Sequence, residues 1–141
     1  MELEEIYLPS RALRLSRPII MWRIPAGFPS PAEDYIEGRI DLNRDLIKHP
    51  LATFYIRVAG DSMEPKIQSG ALIVVDRMAE TKDNDIVVAR IGSEFMVKKL
   101  HIEKDGCICL LSENEAYPPI QIIESMDFEV WGKVTHSIQS Y

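Results

Sequence analysis

From residue 53 almost to its end, the sequence is a succession of short apolar runs rich in β-branched residues. Turn signals such as Gly92-Ser93 and Lys104-Asp105-Gly106 separate these runs, a pattern typical of β-strands joined by tight turns. It predicts strands over residues 53–59, 71–76, 85–91, 94–101, 107–112 and 128–138. Because most connections are short, the strands should run mostly antiparallel, as in a partly closed β-barrel or sandwich. The expected fold class is therefore mainly β, with Gly132 as the bend point of the long last strand.

The start of the chain differs from the later residues in its hydrophobic pattern. Residues 1–23 show no sustained hydrophobic period, and Pro9 and Pro18 interrupt any helix there. The only apolar cluster in this stretch is Ile19-Ile20-Met21-Trp22. Since such a segment cannot form a core of its own, we expect an extended N-terminal arm that lies on another surface.

Two short helices are expected between the arm and the β-region. Ser30-Pro31-Ala32-Glu33 combines a capping box with proline at the first helical position, which predicts a helix over residues 31–38. Apolar spacing predicts a second helix over residues 42–48, which must end before Pro50.

Charge and hydropathy exclude several classes of protein. The chain has 141 residues with 16 basic against 22 acidic side chains, and its net charge of -6 disfavours direct, strong binding to nucleic acid. Its longest apolar run, Ala71 to Val75, is too short to cross a membrane, and the acidic first residues do not resemble a secretory signal. A cytoplasmic protein with no membrane association is the expectation.

The segment Gly60-Asp61-Ser62-Met63 is the strongest candidate for catalytic chemistry. A strand that runs into a glycine-containing turn exposes a side-chain oxygen and points backbone N–H groups outward, as a nucleophile with an oxyanion hole requires. An ordinary turn is the plainer interpretation of the same residues. No dinucleotide, phosphate-loop or zinc motif occurs, so neither a cofactor nor a metal is expected.

A nucleophilic serine needs a base, and Lys98 and Lys99 lie inside an otherwise apolar predicted strand. A lysine at its ordinary pKa is neutral in only about one of 2,500 molecules at pH 7, so a working base must be buried. The alternative is that both ammonium groups reach solvent from an edge strand. Periodicity cannot choose between the two lysines.

Together, these residues resemble a known family, the self-cleaving LexA/UmuD serine peptidases. The resemblance covers, in order and spacing, Gly60-Asp61-Ser62-Met63, residues 70–76, residues 85–89, residues 94–100 and Val130-Trp131-Gly132-Lys133-Val134. It extends from about residue 24 to 138 and implies the fold of the LexA C-terminal domain. Gly27 to Ala32 and Arg39 to Asn43 are similar to the UmuD branch, and too few residues precede them for the helix-turn-helix domain of a repressor.

The resemblance also implies roles for individual residues. Ser62 would be the nucleophile and Lys98, the first of the pair, the general base. The scissile bond would be Ala26-Gly27, although alanine before the glycine is the LexA form and UmuD-type sites often have cysteine. The backbone N–H groups of Asp61 and Ser62 would form the oxyanion hole.

Self-cleavage would divide the chain into an arm of residues 1–26 and a peptidase domain of residues 27–141. In the family, a RecA–single-stranded DNA filament stimulates this reaction in the SOS response to DNA damage. The shortened homodimer then serves a UmuC-like Y-family DNA polymerase in translesion synthesis. Two alternatives stay open: a non-catalytic dimeric binding module, and a peptidase that acts in trans on other proteins.

Overall fold

The computed structural model describes residues 1–8, 16–20 and 36–141. The chain forms two compact units, one of Met1–Leu8 with Leu51–Tyr141 and one of Pro9–Pro50. Their elements in chain order are β1 Glu2–Tyr7, β2 Ser16–Ile20, β3 Ile36–Asp41, α1 Leu42–Leu46, a 3-10 turn Pro50–Ala52, β4 Thr53–Ala59, β5 Leu72–Asp76, β6 Ile86–Ile91, β7 Glu94–Ile102, β8 Ile108–Leu111, β9 Ile120–Gln121 and β10 Phe128–Ile138. No described helix is long and apolar enough to cross a lipid bilayer.

The larger unit is one eight-stranded sheet in the order β1-β4-β5-β10-β6-β7-β8-β9. Every neighbouring pair is antiparallel, which confirms the mainly β prediction. The sheet does not close into a continuous barrel, and β1 and β9 are its edges within the described residues. The sheet is nevertheless curved. A hydrogen bond of 3.1 Å from the backbone N–H of Val97 on β7 to the carbonyl oxygen of Met1 connects β7 to the residue that precedes the edge strand β1.

Side chains on both faces of the central strands are buried. Val88 and Val97 belong to one apolar cluster, whereas their neighbours Val87 and Met96 belong to another. This division follows from the alternation of side chains along a strand. Continuous apolar runs therefore mark the strands that carry the candidate site.

The strand bounds expected from the sequence are close to those observed. Strands β4 and β10 have the predicted bounds, and β5 to β8 differ from prediction by one residue at one or both ends. Strands β1, β2, β3 and β9 were not predicted, because their sequences lack a sustained alternation.

The smaller unit contains β2 paired with β3, followed by α1. Asp41 caps α1 by accepting hydrogen bonds from the backbone N–H groups of Asn43 and Arg44, so the second predicted helix is confirmed in a shorter form. The first is wrong at its end, because residues 36–38 belong to β3, where strand pairing prevails over the local capping signal. Residues 31–35 lie outside the described residues.

Gly132 lies at a β-bulge in β10, as its predicted role as a bend point requires. The pairing register with β6 shifts between Val130 and Gly132. A Cβ atom added at Gly132 would meet Cγ1 of the buried Val75 at 2.6 Å, which is too close for any side chain. The bulge and the close approach explain why the bend contains glycine.

We expect Gly132→Ala to lower the free energy of unfolding by about 1–3 kcal/mol, because the added methyl group overpacks the core beside Val75. Urea denaturation would measure the loss, and Ser137→Ala, at an exposed position of the same strand, is the control. The double variant with Val75→Ala should lose less stability than the sum of the two single changes. Strict additivity would exclude the clash as the cause.

Candidate active site

Ser62 lies in the turn that follows β4. Gly60 has a φ of +91°, which favours glycine and turns the chain out of the strand. The next side chains point inward, since Ser62 is 2% exposed and Met63 is fully buried in the core. The turn is closed by hydrogen bonds from the Glu64 N–H to the Asp61 carbonyl oxygen, 3.1 Å, and from the Ile67 N–H to the Met63 carbonyl oxygen, 2.8 Å. The serine is thus held in a fixed turn.

A second segment, residues 112–117 after β8, supports this turn from outside. The backbone N–H of Asn114 donates to the Ser62 carbonyl oxygen at 2.9 Å, and its side-chain amide donates to the Asp61 carbonyl oxygen at 3.2 Å. The Tyr117 hydroxyl donates to the Asp61 carboxylate, and this bond raises the pKa of the tyrosine. We call residues 112–117 the supporting loop.

Lys98 lies on β7 and is 7% exposed. Burial lowers the pKa of its ammonium group, because the charged form loses solvation. Its Nζ donates to the Ser112 hydroxyl oxygen at 2.7 Å and lies 5.4 Å from the centre of the Tyr117 ring. The environment of Lys98 therefore favours the neutral amine more than water does.

The neighbouring Lys99 has different surroundings. Its ammonium group is 3.9 Å from the Glu113 carboxylate, and its side chain is 31% exposed. Lys99 is partly exposed and paired with an opposite charge, whereas Lys98 is buried. The structure thus separates two lysines that periodicity alone could not distinguish, and it leaves Lys98 as the candidate base.

Ser62 and Lys98 line the same cavity, whose volume is about 480 Å³. The cavity also receives residues from the start of the chain and from the supporting loop. Its lining comprises Met1, Glu2, Ala59, Gly60, Asp61, Ser62, Ile91, Glu94, Phe95, Met96, Lys98, Tyr117 and Ile120. A buried serine and a buried lysine that share a cleft are suited to nucleophilic chemistry with an amine base.

The first residue of the chain occupies part of this cavity. The amino group of Met1 donates to Ser62 Oγ at 2.6 Å, and the Met1 side chain is 7% exposed. Burial, and then the charge of Lys98, lower the pKa of this amino group to about 6. No sequence motif indicates this contact, because it depends on the long-range pairing of β1 with β4.

The remaining predicted site residues differ in what the structure describes. No described residue accepts a hydrogen bond from the backbone N–H of Asp61 or Ser62, so both donors are available, as an oxyanion hole requires. Ala26 and Gly27 lie outside the described residues. Three residues of the supporting loop, namely Ser112, Asn114 and Tyr117, were not anticipated, because loop residues carry no periodic signal.

Comparison with known proteins identifies the family. The profile of the family described as Peptidase S24-like matches residues 18–135. Protein MucA of Salmonella typhimurium is 40% identical over 137 residues, which cover 95% of this chain and 92% of MucA. Protein SamA of Salmonella typhimurium is 44% identical over 124 residues, or 87% of each chain.

The LexA repressor of Stenotrophomonas maltophilia is 37% identical over 132 residues, which cover 93% of this chain and 60% of the repressor. The resemblance to LexA and UmuD that the sequence motifs suggested is therefore confirmed. On these matches, the chain belongs to the peptidase S24-like serine peptidases, the LexA/UmuD family.

Proposed function

We propose that the chain is a UmuD-like self-cleaving peptidase that cuts its own Ala26-Gly27 bond, with Ser62 as nucleophile and Lys98 as general base. The observation that carries the proposal is the shared cavity, which is lined by both Ser62 and Lys98, together with the pKa of Lys98, which burial lowers. Membership of a serine peptidase family supports the same chemistry.

The proposed reaction has two stages. In the first, neutral Lys98 takes the hydroxyl proton of Ser62 while Oγ attacks the carbonyl carbon of Ala26. The backbone N–H groups of Asp61 and Ser62 stabilise the oxyanion, the bond to the Gly27 nitrogen breaks, and Lys98 returns the proton to the new amino group. In the second stage Lys98 takes a proton from a water molecule that attacks the ester carbonyl carbon. The bond between that carbon and Ser62 Oγ breaks, Lys98 returns the proton to Oγ, and Ala26 leaves as a carboxylic acid that ionises.

A peptidase that cleaves its own chain needs less catalytic power than one that acts on a separate substrate. A tethered scissile bond has a high effective concentration at the nucleophile, so a modest catalyst suffices for a single turnover. Residues 21–35, which contain the bond, connect the paired strands β2 and β3 in the smaller unit.

We further propose that the reaction is part of the SOS response. A RecA–single-stranded DNA filament stimulates cleavage, and the shortened homodimer of residues 27–141 acts with a UmuC-like Y-family polymerase in translesion synthesis. The family resemblance supports these partners, together with the similarity to MucA, SamA and ImpA over most of the chain. The net charge of -6 agrees with contact to DNA through a partner protein.

The proposal is tested by a time course of the purified chain at pH 7 and about pH 10, with and without RecA filaments, followed by intact mass. We expect fragments 1–26 and 27–141, faster formation at the higher pH, and an uncut chain in the Ser62→Ala variant. A chain that stays whole under all these conditions would favour a non-catalytic module, and cleavage of added proteins would favour a peptidase acting in trans. Isotope-labelled Ser62→Ala chain mixed with unlabelled active chain distinguishes cleavage within a chain from cleavage between chains.

A further inference from the structure

Ser112 is the first residue of the supporting loop and directly follows β8. Its hydroxyl oxygen accepts a hydrogen bond from Lys98 Nζ at 2.7 Å. Two residues further along, Asn114 donates hydrogen bonds to the carbonyl oxygens of Asp61 and Ser62. One short segment therefore contacts both the candidate base and the turn that carries the candidate nucleophile.

Lys98 lies near the Met1 amino group, whose pKa its charge lowers, but its neighbours on the same face of β7 are apolar. Met96 and Leu100, which share its face of β7, are 9% and 2% exposed. The ammonium group lies over the ring of Tyr117. Within the described part of the chain, Ser112 is the only hydrogen-bond partner of Lys98 Nζ. A flexible four-carbon side chain is thus held at its tip by one hydroxyl group.

We propose that Ser112 is a positioning residue for Lys98: its hydroxyl group fixes the amine so that the nitrogen lone pair faces Ser62. This role rests on the proposed self-cleavage. A neutral lysine has two N–H bonds and one lone pair, so an N–H given to Ser112 leaves the lone pair free for the Ser62 proton. When Lys98 takes that proton, the same oxygen still accepts a hydrogen bond from the resulting ammonium group.

The supporting loop couples this effect to the nucleophile. Ser112 and Asn114 belong to the same segment. A shift of the supporting loop would therefore move together the hydroxyl group that accepts from Lys98 and the N–H group that donates to the Ser62 carbonyl oxygen. Reacting groups must keep their mutual geometry to within a fraction of an ångström for efficient proton transfer. Positioning by one loop is a physical means of keeping the pair aligned.

The first test compares the cleavage rates of Ser112→Ala and Ser112→Thr with that of the unaltered chain. We expect Ser112→Ala to cleave about 10- to 100-fold more slowly on the high-pH plateau, where Lys98 is neutral in both chains and only the loss of an oriented base is measured. Ser112→Thr keeps the hydroxyl group and should recover most of the rate. Ser93→Ala removes an exposed serine beside the same strand and should leave the rate unchanged.

The second readout is the titration of Lys98, followed by NMR of its side chain in the uncleavable Ser62→Ala background. A hydrogen bond to the charged form raises a pKa, so loss of the Ser112 hydroxyl should lower the pKa of Lys98 further. The rise of the cleavage rate with pH should then level off at a lower pH in Ser112→Ala. A structural role alone would lower the melting temperature without this shift.

The two readouts separate the failure of this inference from the failure of the proposed function. If the unaltered chain never cleaves, the proposed function is wrong, and the titration still shows whether Ser112 controls the protonation of Lys98. If the chain cleaves but Ser112→Ala changes neither the rate nor the pKa of Lys98, the positioning role is excluded. Failure of Ser112→Thr to recover either property would also count against the hydroxyl group.

Discussion

A chain carrying Lys98→Met is expected to cleave itself about 1,000-fold more slowly than the unaltered chain, because it has lost its proposed general base. Methionine has a similar length and no charge, so it fits a position that is 7% exposed without the cost of a buried ammonium group. Stability should therefore be kept, and the loss should be confined to the reaction. Intact mass at a series of times measures the rate.

Lys99→Met is the matched control, since it removes the adjacent lysine, which faces Glu113. Its rate should stay within a few-fold of the unaltered chain. The opposite result, in which Lys99→Met abolishes cleavage and Lys98→Met does not, would assign the base to the other lysine. A rate equal to that of the unaltered chain in both variants would exclude either lysine as the base.

The pH dependence gives the same prediction a second readout. Burial lowers the pKa of Lys98, and the base works only as the neutral amine. Below that pKa the neutral fraction grows about tenfold per pH unit, so the rate should rise with pH and level off below the ordinary lysine value. Lys98→Met should remove this rise.

The sequence predicted the central strands because their apolar runs are long and end in clear turn signals. It also indicated Ser62 as a candidate nucleophile, since a glycine-containing turn after a strand is a local feature. The choice between Lys98 and Lys99 required the three-dimensional arrangement, because both faces of β7 are apolar and only the tertiary neighbours differ. Family resemblance selected Lys98 before the geometry gave a physical reason for it.

Strand β1 could not be predicted for a related reason. Its sequence, Glu2-Leu3-Glu4-Glu5-Ile6-Tyr7, has weak alternation, and its partner β4 lies far along the chain. Pairing of this kind depends on the edge of a strand that lies more than 40 residues away, not on a local sequence signal. The expected arm on another surface is, at residues 2–7, an edge strand of the same sheet.

Deletion of residues 1–8 is expected to accelerate self-cleavage by about 10- to 100-fold. A carbonyl carbon must come within about 3.5 Å of Ser62 Oγ to react, and the Met1 amino group already lies 2.6 Å from that oxygen. Only chains in which β1 has left the cavity can react. Burial of the Met1 side chain alone stabilises the docked strand by about 1.5–3 kcal/mol. Loss of this stabilisation would raise the fraction of chains with an open cavity by about 10- to 100-fold, which is the expected effect on the rate.

A point substitution tests the same idea without removing an edge strand. Leu3 packs against the apolar core, so Leu3→Asp should release β1 and raise the rate, whereas Ile6→Asp changes a side chain that is 55% exposed and should not. The melting temperature of each variant shows whether the larger unit remains folded. If deletion and Leu3→Asp both slow cleavage in chains that stay folded, β1 is part of the working active site, and the Met1 contact with Ser62 assists the reaction instead of blocking it.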